Sequence, residues 1–117
     1  RIHLTGSVET LAPWRKASDM SVIPLVDGGG TRMKIIDCFA AGLPLISTRK
    51  GIEGIPVVAG KQALILDDWD GILAAGLDLW QPSEDTARLA DRGRAMASQL
   101  GWDAAAESYL ALYSALA

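Results

Sequence analysis

The run Ser21-Val22-Ile23-Pro24-Leu25-Val26-Asp27-Gly28-Gly29-Gly30-Thr31-Arg32-Met33-Lys34-Ile35-Ile36-Asp37-Cys38-Phe39-Ala40-Ala41-Gly42-Leu43-Pro44-Leu45-Ile46-Ser47 contains a complete strand–loop–helix–strand unit. Met20 to Leu25 is a short apolar run bounded by Asp19 and Asp27, and reads as a buried strand. Asp27 to Thr31 is a glycine-rich loop. A helix follows over Arg32 to Ala41, stopped by Gly42 with Pro44 beyond it. Leu43 to Ser47 is a second continuous apolar run. Strands that are apolar throughout, rather than alternating, belong to parallel sheets buried on both faces. The unit therefore predicts an α/β domain, a Rossmann-like parallel sheet flanked by helices.

The flanks extend the same alternation. Ile2-His3-Leu4-Thr5 is β-branched and apolar, ends at Gly6, and is expected to be a strand. Ser7 is placed to cap a helix over Glu9 to Ser18, with Pro13 early and Arg15 and Lys16 late. After a polar loop centred on Lys50-Gly51-Ile52-Glu53-Gly54, Ile55 to Val58 and Ala63 to Leu66 are further strand candidates, the first put at an edge by Pro56. Asp67-Asp68 caps a helix to about Trp80, and Pro82-Ser83 opens another to about Leu100 with Leu89, Gly93, Met96 and Leu100 on one face. Trp102, Ala106, Tyr109, Tyr113 and Leu116 stripe a final helix, the helical C-terminal tail.

Composition narrows the class. The 117 residues make one domain, 1–117, without repeat or linker. Half are hydrophobic, 21% are charged and the mean hydropathy is +0.20, which excludes a disordered chain. The net charge of −3 argues against a nucleic-acid partner, since phosphate backbones select basic surfaces. A single cysteine, Cys38, supports neither an internal disulfide nor a cysteine-rich zinc site and fits a reducing, cytoplasmic compartment. No apolar run approaches the length of a membrane span. The sequence opens on Arg1 and runs straight into a strand-like segment, so it reads as a piece of a longer protein.

In doubly wound sheets ligands sit beyond the carboxyl ends of the strands. The loops after Gly6, Val26 to Thr31 and Ser47 to Gly54 leave those ends. Gly28, Gly29 and Gly30 permit close backbone approach, and they lead into a helix N-terminus whose free N–H groups favour an anion. Thr31 adds a hydroxyl, and Arg32 and Lys34 add positive charge. This is the composition of a phosphate or diphosphate site. It is neither a Walker loop, which needs Gly-Lys-Ser/Thr, nor G-x-G-x-x-G. Asp37 is three residues beyond Lys34. An i,i+3 ion pair with Lys34 is its ordinary reading. Its apolar neighbours favour a carboxylate that receives hydrogen bonds from sugar hydroxyls.

Around these residues the chain resembles the C-terminal domain of a group 1 (family 4) glycosyltransferase of the GT-B fold. The matching residues are Leu4-Thr5-Gly6-Ser7-Val8 with Leu11, Ser21 to Leu25, Gly28 to Asp37, Ala40 to Thr48, and Gly51, Glu53 and Gly54. The resemblance is strong to about Gly60 and continues as a helical pattern beyond. It implies the donor-binding part of a retaining enzyme. Such an enzyme moves a sugar from a nucleotide-diphosphate sugar to an acceptor such as a glycan or polysaccharide precursor. It implies that Gly28 to Lys34 meets the diphosphate and donor sugar, that Asp37 holds the ribose, that Ser7 and Val8 flank the base, and that Thr48 to Glu53 borders the cleft.

In the family's Glu-x7-Glu pair the first Glu falls at Gly29 and the second is shortened to Asp37. Some relatives share the glycine-rich form. The resemblance further implies an N-terminal acceptor domain outside this sequence, with any peripheral membrane association made through it. It implies no metal and no cofactor, and a fragment inactive on its own. A non-catalytic nucleotide or phospho-ligand module is the alternative. An NAD-type domain would need a glycine fingerprint after the first strand, and a receiver domain would need an acidic pocket around Asp27; neither pattern is present.

The remaining reactive residues read as structural. His3 is a lone histidine on the first strand, Cys38 a small core residue, and Asp67, Asp68 and Asp70 a helix cap rather than a metal cluster. Trp14, Trp69, Trp80 and Trp102 read as core or domain-interface residues. A final aromatic helix without its partner domain would be an exposed patch that promotes self-association.

Overall fold

The computed structural model describes residues 2–116. Three strands, β1 (Ser21–Ile23), β2 (Leu45–Ser47) and β3 (Leu64–Ile65), form a parallel sheet in the order β1-β2-β3. Five helices accompany it: α1 (Ala12–Lys16), α2 (Met33–Ala40), α3 (Trp69–Trp80), α4 (Glu84–Gln99) and α5 (Trp102–Leu116). The α/β class read from the sequence is the fold that forms.

The sheet's two faces follow from its register. Ser21 pairs with Leu45, Val22 with Ile46 and Ile23 with Ser47; Ile46 pairs with Leu64 and Ser47 with Ile65. Side chains alternate along each strand, so Ile23, Leu45 and Ile65 share one face and Val22, Ile46 and Leu64 the other. The first face packs with Ile35, Cys38 and Phe39 of α2 and Ala97 of α4; the second packs with Ile72 and Ala75 of α3. This is why β2 is apolar throughout: it is buried on both sides.

Sequence signals at the helix ends hold. Asp68 caps α3, accepting from the Gly71 amide at 2.6 Å, and Ser83 caps α4, accepting from Thr86 at 3.1 Å. Gly42 ends α2 with φ +70, and the Leu43 and Gly42 amides bond back to Cys38 and Phe39 in a Schellman motif. On α4, Gly93 lies against the ring of Phe39, which lets α4 approach α2 closely. Leu89, Gly93 and Ala97 are its buried stripe, whereas Leu100, expected on that face, faces outward.

Several expected elements differ. Ile2 to Thr5 is not a strand. Ile2 and Leu4 are about nine-tenths exposed, and no ladder partner meets them among the described residues; strand conformation needs one. The helix expected over Glu9 to Ser18 is confined to Ala12–Lys16, with Leu11 rather than Ser7 at its N-cap. Pro13 in its first turn explains the late start. Deeper in a helix the ring would clash with the carbonyl of Glu9. Ile55 to Val58 is irregular rather than a strand, because Pro56 has no N–H for a ladder and the Val57 amide bonds back to the Ile55 carbonyl. β1 stops before Pro24 and β2 starts after Pro44 for the same reason.

None of the four tryptophans is in the core. Trp14 is half exposed, Trp69 and Trp80 about two-thirds and Trp102 almost fully. Trp69, Leu73, Leu77 and Trp80 stripe the outer side of α3, opposite the residues packed on β2. No residue of α5 is buried. His3 is exposed and off the sheet, so the structural role read for it is not seen.

Candidate functional site

The carboxyl ends of β1 and β2 are stitched together by short polar side chains. Buried Ser47 donates to the Ile23 carbonyl at 3.0 Å, and Thr48 donates to the Leu25 carbonyl while accepting from the Gly51 amide at 2.9 Å. A Cβ on Gly51 would fall on the Ser47 hydroxyl, so only glycine fits there. The loop after β1 and the loop after β2 therefore leave the sheet side by side.

The loop after β1 carries the three glycines. Gly28 and Gly30 have φ +109 and +87, values that L side chains rarely adopt. The Gly28 amide is taken by the Asp27 carboxylate at 2.7 Å. Arg32, which opens α2, folds back beneath the loop. Its Nη2 donates to the Gly28 carbonyl at 3.0 Å and its Nη1 to the Gly29 carbonyl at 3.1 Å. Nη2 also meets the Glu53 carboxylate at 3.3 Å. The arginine is only 5% exposed, so it does not offer its charge to the open side of the loop.

The backbone consequence is geometric. Among the described residues every peptide is trans, and in a trans peptide N–H and C=O point in opposite directions. With the Gly28 and Gly29 carbonyls held inward on Arg32, the amides of Gly29 and Gly30 face outward. Neither makes a hydrogen bond among the described residues. The space above all three glycines is open: a Cβ on any of them would meet nothing within 4 Å. The N-terminus of α2 has no side-chain cap. Consecutive outward amides running into an uncapped helix N-terminus are groups suited to an oxyanion.

The model of the family described as glycosyl transferases group 1 matches residues 1–82, which include the sheet, the glycine loop and α2. This chain belongs to the group 1 glycosyltransferases. No curated protein matches it.

Within this glycosyltransferase chain the other sequence-selected residues fall into two groups. Glu53, Thr48 and Arg32 join the glycine loop. Glu53 is exposed and shared between Arg32 and Lys50, whose ammonium lies 2.7 Å away. The hydrogen bond and charge of Lys50, aided by Arg32, hold the Glu53 carboxyl below its ordinary value of 4.5. Thr48 is buried and occupied by backbone, so it shapes the loop junction rather than lining open space. Thr31 is exposed beside the loop.

Lys34 and Asp37 lie further along α2, beside α1. Lys34 makes no ion pair among the described residues. It lines a cavity of about 230 Å³ with Trp14 and Cys38. Asp37 is not paired with Lys34, as the i,i+3 spacing suggested, but with Arg15 of α1 at 2.7 Å. The pair lines a shallow cavity of about 350 Å³ with Ala12, Lys16, Ala40 and Ala41. Ser7 is exposed and Val8 half-buried, and neither hydrogen-bonds to the loop or to α2.

Arg15 is a participant that sequence reasoning missed, and Lys50 enters that reasoning only as part of the Thr48 to Glu53 border, without its pairing to Glu53. The Lys50–Glu53 spacing of three in a turn could have signalled the second; nothing local signals the first. Cys38 is buried and donates to the Ser21 hydroxyl at 3.1 Å, as befits a core thiol. Asp68 is a helix cap and Asp67 receives the Arg49 amide and guanidinium. Among the described residues no acidic, histidine or cysteine cluster could hold a metal, and no helix is long and apolar enough to cross a membrane.

Proposed function

We propose that this chain is the donor-binding part of a retaining glycosyltransferase, one that moves a sugar from a nucleotide-diphosphate sugar to an acceptor. The observation that carries the reading is the pair of outward amides at Gly29 and Gly30 at the carboxyl end of β1, with Lys34 in the first turn of the following helix. On this reading the amides and the Lys34 ammonium take the diphosphate, and they stabilise its charge as the glycosidic bond to the leaving group breaks. Asp37 receives the ribose hydroxyls, and Ser7 and Val8 flank the base. The donor is a substrate, and the reading calls for no cofactor.

Gly29 supplies no carboxylate to the donor sugar, so recognition of that sugar rests on neighbouring backbone. A separate domain of the same protein brings the acceptor, a glycan or polysaccharide precursor, in the cytoplasm, with any membrane contact made there. Transfer requires both halves.

The test is isothermal titration of the chain with UDP, GDP and NAD, repeated with Asp37→Ala and Lys34→Ala. Saturable binding of one nucleoside diphosphate, weakened by both substitutions, is the expected result. Preference for NAD, or no nucleoside diphosphate bound by the protein with its acceptor domain attached, overturns the reading.

A further inference from the structure

Arg32 presents a physical puzzle. A cation at a helix N-terminus opposes the helix dipole, and burial adds a desolvation cost. A guanidinium meant to grip an anionic ligand would gain by facing solvent. Here it is buried, with Nη1 and Nη2 engaged by three acceptors and Nε unpartnered. Those acceptors belong to two different loops: the Gly28 and Gly29 carbonyls after β1, and the Glu53 carboxylate after β2. Glu53 is in turn fixed by Lys50.

We propose that Arg32 is a positioning residue of the donor loop. It does not touch the diphosphate; it holds the Gly28 and Gly29 carbonyls inward, and so sets the Gly29 and Gly30 amides toward the ligand. Glu53, although acidic and beside an anion site, favours anion binding, because it anchors the guanidinium that shapes the loop. The planar fork is what the task requires: one group must reach two carbonyls and a carboxylate at once, which a lysine ammonium cannot match in that geometry. This role rests on the diphosphate reading above.

The sign of one substitution separates the alternatives. If Glu53 were only a nearby negative charge, Glu53→Gln would strengthen diphosphate binding. If it anchors Arg32, Glu53→Gln weakens it. Titration of the chain with the nucleoside diphosphate that binds wild type is therefore repeated with Glu53→Gln and Arg32→Lys, alongside thermal melts and amide exchange of Gly29 and Gly30 without ligand.

The expected result is a loss of about tenfold in affinity for each variant, with the melts cooperative and the Gly29 and Gly30 exchange rates altered before any ligand is added. Unchanged or tighter binding by Glu53→Gln, or full affinity in Arg32→Lys, overturns the positioning role and leaves the donor site standing. Absence of diphosphate binding by the wild-type protein with its acceptor domain attached overturns the donor reading itself and the role that depends on it.

Discussion

Arg15 Nη2 donates to Asp37 Oδ2 at 2.7 Å, joining α1 to α2 across 22 residues of sequence. Both side chains are partly exposed, at 27% and 43%. An ion pair in that setting contributes less than about 1 kcal/mol to stability. Asp37→Asn is therefore expected to shift the urea midpoint only slightly; if Asp37 holds the ribose as proposed, it also weakens nucleoside diphosphate binding by about tenfold through loss of a charged acceptor. Parallel denaturation and titration check this. A large loss of stability with unchanged affinity would make Asp37 a structural residue.

Two helical glycines respond oppositely to the same change. A Cβ on Gly93 would lie 2.6 Å from Cδ1 of Phe39, a ring with no exposed surface. Overpacking of a fixed ring costs about 1–3 kcal/mol, more than the roughly 1 kcal/mol that alanine gains in a helix. Gly93→Ala is expected to destabilise. A Cβ on Gly76 would meet only Ile46 Cδ1, at 4.0 Å, so Gly76→Ala is expected to stabilise by up to about 1 kcal/mol. Urea unfolding of the two variants measures both signs.

Gly29 differs from its neighbours. It has no positive φ and open space at its Cβ, whereas Gly30 has φ +87. Gly29→Glu is expected to leave stability within about 0.5 kcal/mol of wild type. Gly30→Ala costs about 1–2 kcal/mol through backbone strain alone. If the donor reading proposed above holds, a carboxylate restored at position 29 is also expected to raise affinity for a nucleotide sugar relative to the bare nucleotide. Melting curves and competition titrations decide both points.

The Glu53 clamp has a defined pH dependence. Lys50 first, and Arg32 with it, hold the folded-state carboxyl below its ordinary 4.5. A group depressed on folding contributes stability above its unfolded pKa, and loses that contribution as pH falls through the folded value. The link between the two loops is expected to persist from neutrality to about pH 4.5 and release only below it. Lys50→Ala moves the release to higher pH. Amide exchange of Gly29 and Gly30, followed from pH 7 to 3, reads the transition.

Local chemistry settled much of this protein in the sequence alone. Continuous apolar runs at Met20 to Leu25 and Leu43 to Ser47, separated by a glycine loop and a Gly42-stopped helix, predicted a parallel sheet; burial on both faces holds for β2, whereas in the edge strand β1 only Ile23 is buried and Val22 is exposed. Asp68, Ser83 and Gly42 announced their helix ends, since capping depends on a few adjacent residues.

What the sequence could not decide were relations between distant residues. Ile2 to Thr5 has strand composition, but a strand exists only if a partner lies beside it. Arg15 and Asp37 meet because the fold brings the last turn of α1 to α2, and no spacing encodes that. Arg32 read as a ligand-facing cation by its place next to three glycines; tertiary structure instead buried it beneath them, facing Glu53. The direction of a side chain, and so the choice between binding a ligand and shaping the loop that binds it, is set by which acceptors the folded chain brings within its reach.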